Sequence, residues 1–529
     1  MNKTLQSATL ALLLAVVVLP SPSSTGQPAA DDVVVAEDQT WTAVARTIPH
    51  DLLVQAPATL RLEGVELTVG HRILVEAGAR LELGPSGNAA TRLTALDETI
   101  DETHGFWIEA NGTIVSSGEP RTEISRMRGS GLNNLYFPGG GLRVAGRAEL
   151  ADIHLYNSNG TLIAAQGGSV LLERAEVANM GFMSLGALGP MEIRDSSLAD
   201  SHFGIMGRTL CDFVVERTSI HAITEAVMVN SCPVQVHDSD LSAGSIGVYV
   251  AGSGVANLDD VRITGYKQDG VHGKFLPNEV NPQVMDYPRI NAKGLRLEPA
   301  AVPATEETHG VYLMGTIADI RDSVITGHRQ GIFGKDNSLL AASNNTFVRN
   351  RANAIFLYDS RFAGDLMDND YGGIMARNPN GMPILAQVPV RAVVTGADGL
   401  PMPGVLLRVY APGNSTPIAQ MGGYNVTYAK TMLTTHSLSL DLTPTFLGPF
   451  TYEVSHPSLS EPVRGDLDLS NPGIVVPAST AGSGAIDWSS LPLLILFGLG
   501  ILLVLLGMLP KRFLRLPFRR RPELPTTPS

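Results

Sequence analysis

Ionisable residues crowd into one stretch of the chain: Lys267, Asp269, His272, Lys274, His309, Tyr312, His328, Arg329, Lys335 and Asp336. Imidazole titrates near neutral pH and exchanges protons there, and a neighbouring cation neutralises a carboxylate or a developing negative charge. Removing the C5 proton of a uronic acid needs both: a base from His or Tyr and a cation from Lys or Arg. His272, His309 and His328, with Lys274 and Arg329, are therefore the candidate catalytic residues. A histidine on a strand is more often a solvated or hydrogen-bonded surface residue, and no matched pair of carboxylates accompanies these. Binding without catalysis is the leading expectation, and whether the protein is an enzyme stays open.

Other residue types recur at fixed spacing. Two places after a Gly or Ala come Met183, Met206, Met228, Tyr249, His272, Tyr312, Phe333 and Phe356. Strand alternation points them outward as an apolar and aromatic stripe, which marks a contact surface. Tyr249, His272, Tyr312, Phe333 and Phe356 are the candidate ligand-binding residues, because aromatic faces suit the apolar faces of sugar rings. Two long insertions, Lys274 to Arg289 and Glu298 to Thr308, either wall a groove beside the stripe or fold over and bury it. A polar column, Asp152, Arg174, Asp195, Arg217, Asp238, Asp260, Asp322 and Asn344, alternates in sign over its first five members and reads as a turn ladder. Within it Asp238 and Asp260 could hold Ca2+, which takes hard oxygen ligands. Cys211 and Cys232, the only cysteines, are 21 residues apart. They fall on adjacent coils at a distance a disulfide accepts, the alternative being two buried thiols.

These columns exist because the chain repeats every 21 to 22 residues. Apolar pairs five positions apart recur as Leu150/Leu155, Leu172/Val177, Ile193/Leu198, Val215/Ile220, Val236/Leu241 and Leu258/Ile263, at steps of 22, 21, 22, 21 and 22. They return as Ile290/Leu295, Ile320/Ile325 and Ala342/Phe347. A second column opens with Gly204, Ala226, Gly247, Gly270, Gly310, Gly331 and Ala354, each followed by Val or Ile. One coil of a parallel β-helix has this length, and stacked coils pair their backbones while filling a continuous interior. The fold class expected is all-β: a right-handed parallel β-helix, a small β-sandwich and one C-terminal transmembrane α-helix.

The stretch Ser343 to Asn350 (SNNTFVRN), followed by Asn353 to Leu357 (NAIFL), resembles the pectate-lyase-like right-handed β-helix proteins, in their carbohydrate-binding and sugar-hydrolysis branch. That resemblance covers about three fifths of the chain. It implies a fold that hosts lyases, hydrolases, epimerases, adhesins and scaffolds, and the spaced catalytic motifs of the pectin-degrading members are missing. Val390 to Val405, with a turn at Asp398-Gly399 and a strand after Pro403-Gly404, resembles carboxypeptidase-regulatory-like β-sandwich modules.

The ends read as targeting segments. Lys3 and the apolar run Ala8 to Leu19 suit a signal peptide over 1–26. Leu491 to Leu509 carries no charge and precedes Lys511, Arg512, Arg515, Arg519, Arg520 and Arg521, which suits a membrane span over 489–510 and a cytoplasmic tail over 511–529. Between them the expected order is an N-terminal segment (27–49), the β-helix (50–375), a linker (376–387), the sandwich (388–473) and a tether (474–488). The formal net charge is -13; without Lys3, the six tail cations and Glu523, 50 acids face 31 bases, about -19. So acidic an ectodomain excludes nucleic acid as a natural partner. The expected function is a single-pass cell-surface protein binding extracellular polysaccharide or glycoconjugate. A membrane-anchored polysaccharide lyase or glycoside hydrolase is the alternative, and a structural envelope or adhesion protein the second.

Overall fold

The computed structural model describes residues 31–96, 105–128, 140–278, 285–301, 307–363, 368–373, 384–438, 444–446, 450–467 and 473–478. The expected signal peptide, membrane span and basic tail lie outside them. Among the described residues no helix is long and apolar enough to cross a membrane.

The protein is a parallel β-solenoid whose coils each contribute a strand to three faces. Face 1 is a 14-stranded sheet that begins at Gln39–Thr42 and ends at Arg361–Ala363. Face 2 runs from Ala45–Ile48 to Asp370–Gly373, and face 3 from Val33–Val35 to Asn353–Tyr358. Faces 2 and 3 are continuous, because strands such as Ser197–Arg208 turn their shared corner unbroken. The first coil is built from strands at Val33–Val35, Gln39–Thr42 and Ala45–Ile48, which pair with the next coil, so coil structure begins inside the expected N-terminal segment (27–49).

Alternation decides what enters the interior. Leu172, Ile193, Val215, Val236 and Leu258 stack in register on face 1, and Leu155, Val177, Leu198, Ile220, Leu241 and Ile263 on face 2. All are essentially buried, each contributing about 1.5–3 kcal/mol. The next coil departs from expectation: Ala292 and Leu297, not Ile290 and Leu295, continue the two columns. Ile290 also faces inward one alternation earlier, and its bulk disguises the smaller true anchor.

The polar column forms the corner between faces 1 and 2. Asp152, Arg174, Asp195, Arg217, Asp238, Asp260, Asp322 and Asn344 all adopt left-handed backbone, with φ between 46° and 54°. Asp and Asn tolerate this conformation, whereas the two arginines are held there by two-pronged pairs, Arg174 to Asp152 (2.7 and 3.0 Å) and Arg217 to Asp195 (2.6 and 2.9 Å). Gly294 takes this place in its coil, at φ +67, where a Cβ would lie 2.2 Å from Asp260 Oδ1. At some of these corners the next residue turns a hydroxyl inward: Ser196 Oγ accepts the Ala175 N–H at 3.0 Å and Ser239 Oγ the Thr218 N–H at 3.1 Å. These hydroxyls satisfy amides that leave the sheet at the bend. Across the face 3 to face 1 corner Cys211 and Cys232 are disulfide-bonded, Cα to Cα 5.5 Å.

Beyond the last coil, Ile384–Thr395 pairs with Asn353–Tyr358 and then leads into a smaller unit. It pairs there with Ala429–Leu438 and Gly473–Pro477, while Leu406–Tyr410, Ala419–Gly422, Thr451–Ser455 and Val463–Asp466 form a second, antiparallel sheet. A separate core of Val390, Val394, Leu407, Val409, Phe450 and Val454 lies between them. The Asp398-Gly399 turn is closed by Asp398 Oδ1 accepting the Leu400 N–H at 3.0 Å, with Gly399 at φ +76.

Candidate functional site on face 3

On face 3, Asp269–Lys274 lies between Ile246–Ala251 and His309–Met314, all three parallel. The register stacks Met206, Met228, Tyr249, His272, Tyr312, Phe333 and Phe356 in successive coils, each half-buried. Met183 is a correction: it pairs with Phe203, Gly186 occupies its expected place beside Met206, and Met183 is fully buried.

Ring centroids along the column are 5.1 Å apart for Tyr249–His272, 4.6 Å for His272–Tyr312, and 5.4 Å for both Tyr312–Phe333 and Phe333–Phe356. The spacing follows the coil repeat of about 4.8 Å, so each ring leans on its neighbours. Their faces are largely spent on one another. What the column turns outward is edges and polar tips, which suit hydrogen bonding better than the face-to-face stacking expected.

The corner residue Asp269 organises the chemistry. It is 5% exposed and contacts His272 Nδ1 on its own strand and His309 Nδ1 on the next coil, each at 2.7 Å. Burial pushes its pKa up, but hydrogen bonds and positive charge from His272 and His309 outweigh that, and the net shift is downward. A carboxylate only accepts, so both Nδ1 atoms donate, and in neutral rings both Nε2 atoms keep a lone pair. His272 Nε2 is buried with no hydrogen-bond partner. His309 stacks on Phe333, centroids 5.2 Å apart. Close approach at this corner requires glycine: a Cβ on Gly270 would lie 2.8 Å from the Tyr266 hydroxyl and 2.7 Å from the Gly310 carbonyl oxygen.

Two cations share the outer edge. Lys274 and Lys335 occupy the same register position, separated by Met314. Lys335 Nζ lies 5.5 Å from the Tyr312 ring centroid, and its hydrogen bond to Tyr312 raises its pKa. Arg329 stands at the face 2 to face 3 corner and is already paired, Nη1 to Glu307 Oε1 at 3.0 Å, with Glu307 belonging to the second insertion. The first insertion leaves along the opposite corner. Its ends pair at Leu276–Pro277 with Met285–Asp286, and Phe275 seats against Gly315 of the neighbouring coil. The insertions thus flank face 3 on both sides.

His328 does not join this group. It is fully buried inside the coil, its Nε2 is 2.6 Å from the Tyr266 hydroxyl and its Nδ1 3.2 Å from Asn350 Oδ1. Burial pushes its pKa down to about 3, so it is neutral and structural. Asp238 and Asp260 sit on the far corner, between faces 1 and 2, where Asp238 lines a shallow cleft of about 440 Å³ with Arg174, Arg217 and Asp195. Among the described residues no group of three or more His, Cys, Asp or Glu is arranged to hold a metal ion.

One residue escaped sequence reasoning altogether. Glu225 shares the Asp269 column, with Ile246 between them and Phe203 on its other side. Burial pushes its pKa up to about 7; burial and the nearby Glu225 charge push Tyr249 up to about 12. No spacing rule marks it, because the strand positions around it read as ordinary alternation.

No family model matches the chain, and no curated protein does. Among solved structures it is similar to the periplasmic alginate epimerase AlgG, at 10% identity over 62% of this chain and 76% of that one, TM-score 0.33. It is also similar to the tailspike protein gp49 from Acinetobacter baumannii bacteriophage Fri1, a capsular polysaccharide depolymerase, at 9% identity over 84% and 85%, TM-score 0.21. Neither likeness bears on the residues of face 3.

Proposed function

We propose that this is a single-pass cell-surface protein whose right-handed β-helix binds an extracellular polysaccharide or glycoconjugate along face 3. The observation that carries this reading is the in-register column Tyr249, His272, Tyr312, Phe333 and Phe356, flanked by the Asp269–His309 pair and by an insertion on each side. Hydroxyl-rich ligands match a row of ring edges with polar tips, and a repeating polymer matches a repeating surface. The sandwich and tether would carry the solenoid away from a membrane entered by residues 489–510.

The buried carboxylate that orients two imidazoles favours a second reading, a lyase or hydrolase of the same ligand. There His272 Nε2 would take a proton, Asp269 would hold the ring in the required tautomer, and Lys335 or Lys274 would stabilise negative charge.

The test uses the full chain in detergent micelles with a panel of acidic and neutral polysaccharides, with and without calcium, following retained protein, unsaturated products and new reducing ends together. Retention lost in Tyr312→Ala supports recognition. Products lost in His272→Ala make the protein an enzyme. Neither retention nor products across the panel overturns both readings.

A further inference from the structure

Upstream of the aromatic column, face 3 carries a hydrophobic cluster outside the solenoid interior: Ile163 and Met183 are buried there, with Leu188, Phe203 and Met206 packed against them. Beside it Phe182 is 44% exposed, and Ile223, two residues before Glu225 on the strand Ser219–Asn230, is 52% exposed. Phe182 leans on Phe203 at 4.9 Å between centroids and 57°, and no other ring contacts it among the described residues. It is exposed, whereas the rings of the Tyr249 to Phe356 column are half-buried.

Glu225 borders this apolar floor. Its neighbours in register are Phe203 and Ile246, and no lysine, arginine or hydrogen-bonding side chain pairs with it among the described residues. A carboxyl half-buried between apolar side chains loses hydration and gains nothing in return within the fold. Such a group is compensated when a ligand supplies hydroxyls.

We propose that Phe182, Phe203, Ile223 and Glu225 form a subsite for an uncharged pyranose unit. The apolar face of the sugar ring lies on Phe182, and the Glu225 carboxyl hydrogen-bonds ring hydroxyls. The unit is neutral because Glu225 has no accompanying cation, so a uronate here would meet a lone carboxyl. This inference rests on the polysaccharide reading of face 3 and extends it. Glu225 lies two coils from Asp269, about 10 Å along the axis, so one extended glycan reaches both places.

The experiment measures retention of the full chain on a neutral galactomannan and on polygalacturonate, for the wild type, Phe182→Ala, Glu225→Leu and Tyr312→Ala, with thermal unfolding of each. Phe182→Ala and Glu225→Leu are expected to weaken galactomannan binding about tenfold each, the size of one aromatic or charged contact. Glu225→Leu should also unfold at the same or a higher temperature, which separates lost binding from lost structure. If both variants bind like the wild type while Tyr312→Ala does not, the subsite is overturned and the reading of face 3 stands. Wild-type binding to polygalacturonate alone also overturns the subsite. If the wild type binds neither polymer, both fall.

Discussion

Asp269 receives the Nδ1–H of His309 from the next coil at 2.7 Å, although 40 residues separate them in the chain. The same carboxylate holds His272 at 2.7 Å, so one buried acid sets the orientation of two imidazoles. Asp269→Ala leaves two Nδ1–H groups without their acceptor, a cost of about 1–3 kcal/mol for each that stays buried. Denaturant unfolding should show that loss, and polysaccharide retention should fall with it. Asp269→Asn should fold better yet still bind weakly, because an amide does not enforce the same tautomer on both rings.

His328 sets an acid limit on stability. Its folded pKa of about 3 lies below the ordinary 6.5, so the unfolded chain binds the extra proton between those values. Stability from this group is complete above pH 6.5 and is lost as pH falls toward 3. The stability advantage of the wild type over His328→Phe should therefore shrink as pH drops from 7 to 4. At pH 7 that variant should bind polysaccharide like the wild type, since His328 is inside the coil. Lost binding with an intact fold would contradict its placement.

Glu225 works in the opposite direction. Its folded pKa of about 7 exceeds the ordinary 4.5, so the folded state keeps a proton that the unfolded chain releases. Raising pH from 4.5 to 7 destabilises the fold, by at most about 3 kcal/mol and by less for a carboxyl that keeps some contact with water. Thermal unfolding of Glu225→Gln against the wild type should show the variant gaining relative stability over that interval. A constant difference would mean that the carboxyl is well hydrated.

The Cys211–Cys232 bond closes a loop of 21 residues between adjacent coils. In the chain-entropy model such a crosslink is worth about 3 kcal/mol. Peptide mapping without reductant should recover the two cysteines joined. The Cys211→Ser/Cys232→Ser double variant should unfold at lower denaturant with face 3 binding retained, because the bond lies on the face 3 to face 1 corner and not on the aromatic column.

Period and corner chemistry were legible in the amino-acid sequence. Every coil meets nearly the same surroundings, so columns such as Leu172, Ile193 and Val215, or Asp152, Arg174 and Asp195, project directly onto a spacing of 21 to 22 residues. The stacking of Tyr249, His272, Tyr312, Phe333 and Phe356 followed from the same rule. Where the path round a corner changes length, the rule lost its footing. Met183 left the column for a buried cluster outside the interior, Ala292 displaced Ile290, and His328 turned into the interior, because a small shift in register changes where each side chain points.

The sequence by itself thus determined the repeating coil, the stacked aromatic column and the polar turn ladder, all properties of one coil and its period. Only the tertiary structure decided that Asp269 grips His309, that ring faces are consumed by their neighbours, and that Glu225 lies between Phe203 and Ile246 with no charged partner among the described residues. Those relations depend on how far each coil slides and bends against the next. That displacement is settled by side-chain packing and hydrogen bonding across coils, which no single coil's sequence records.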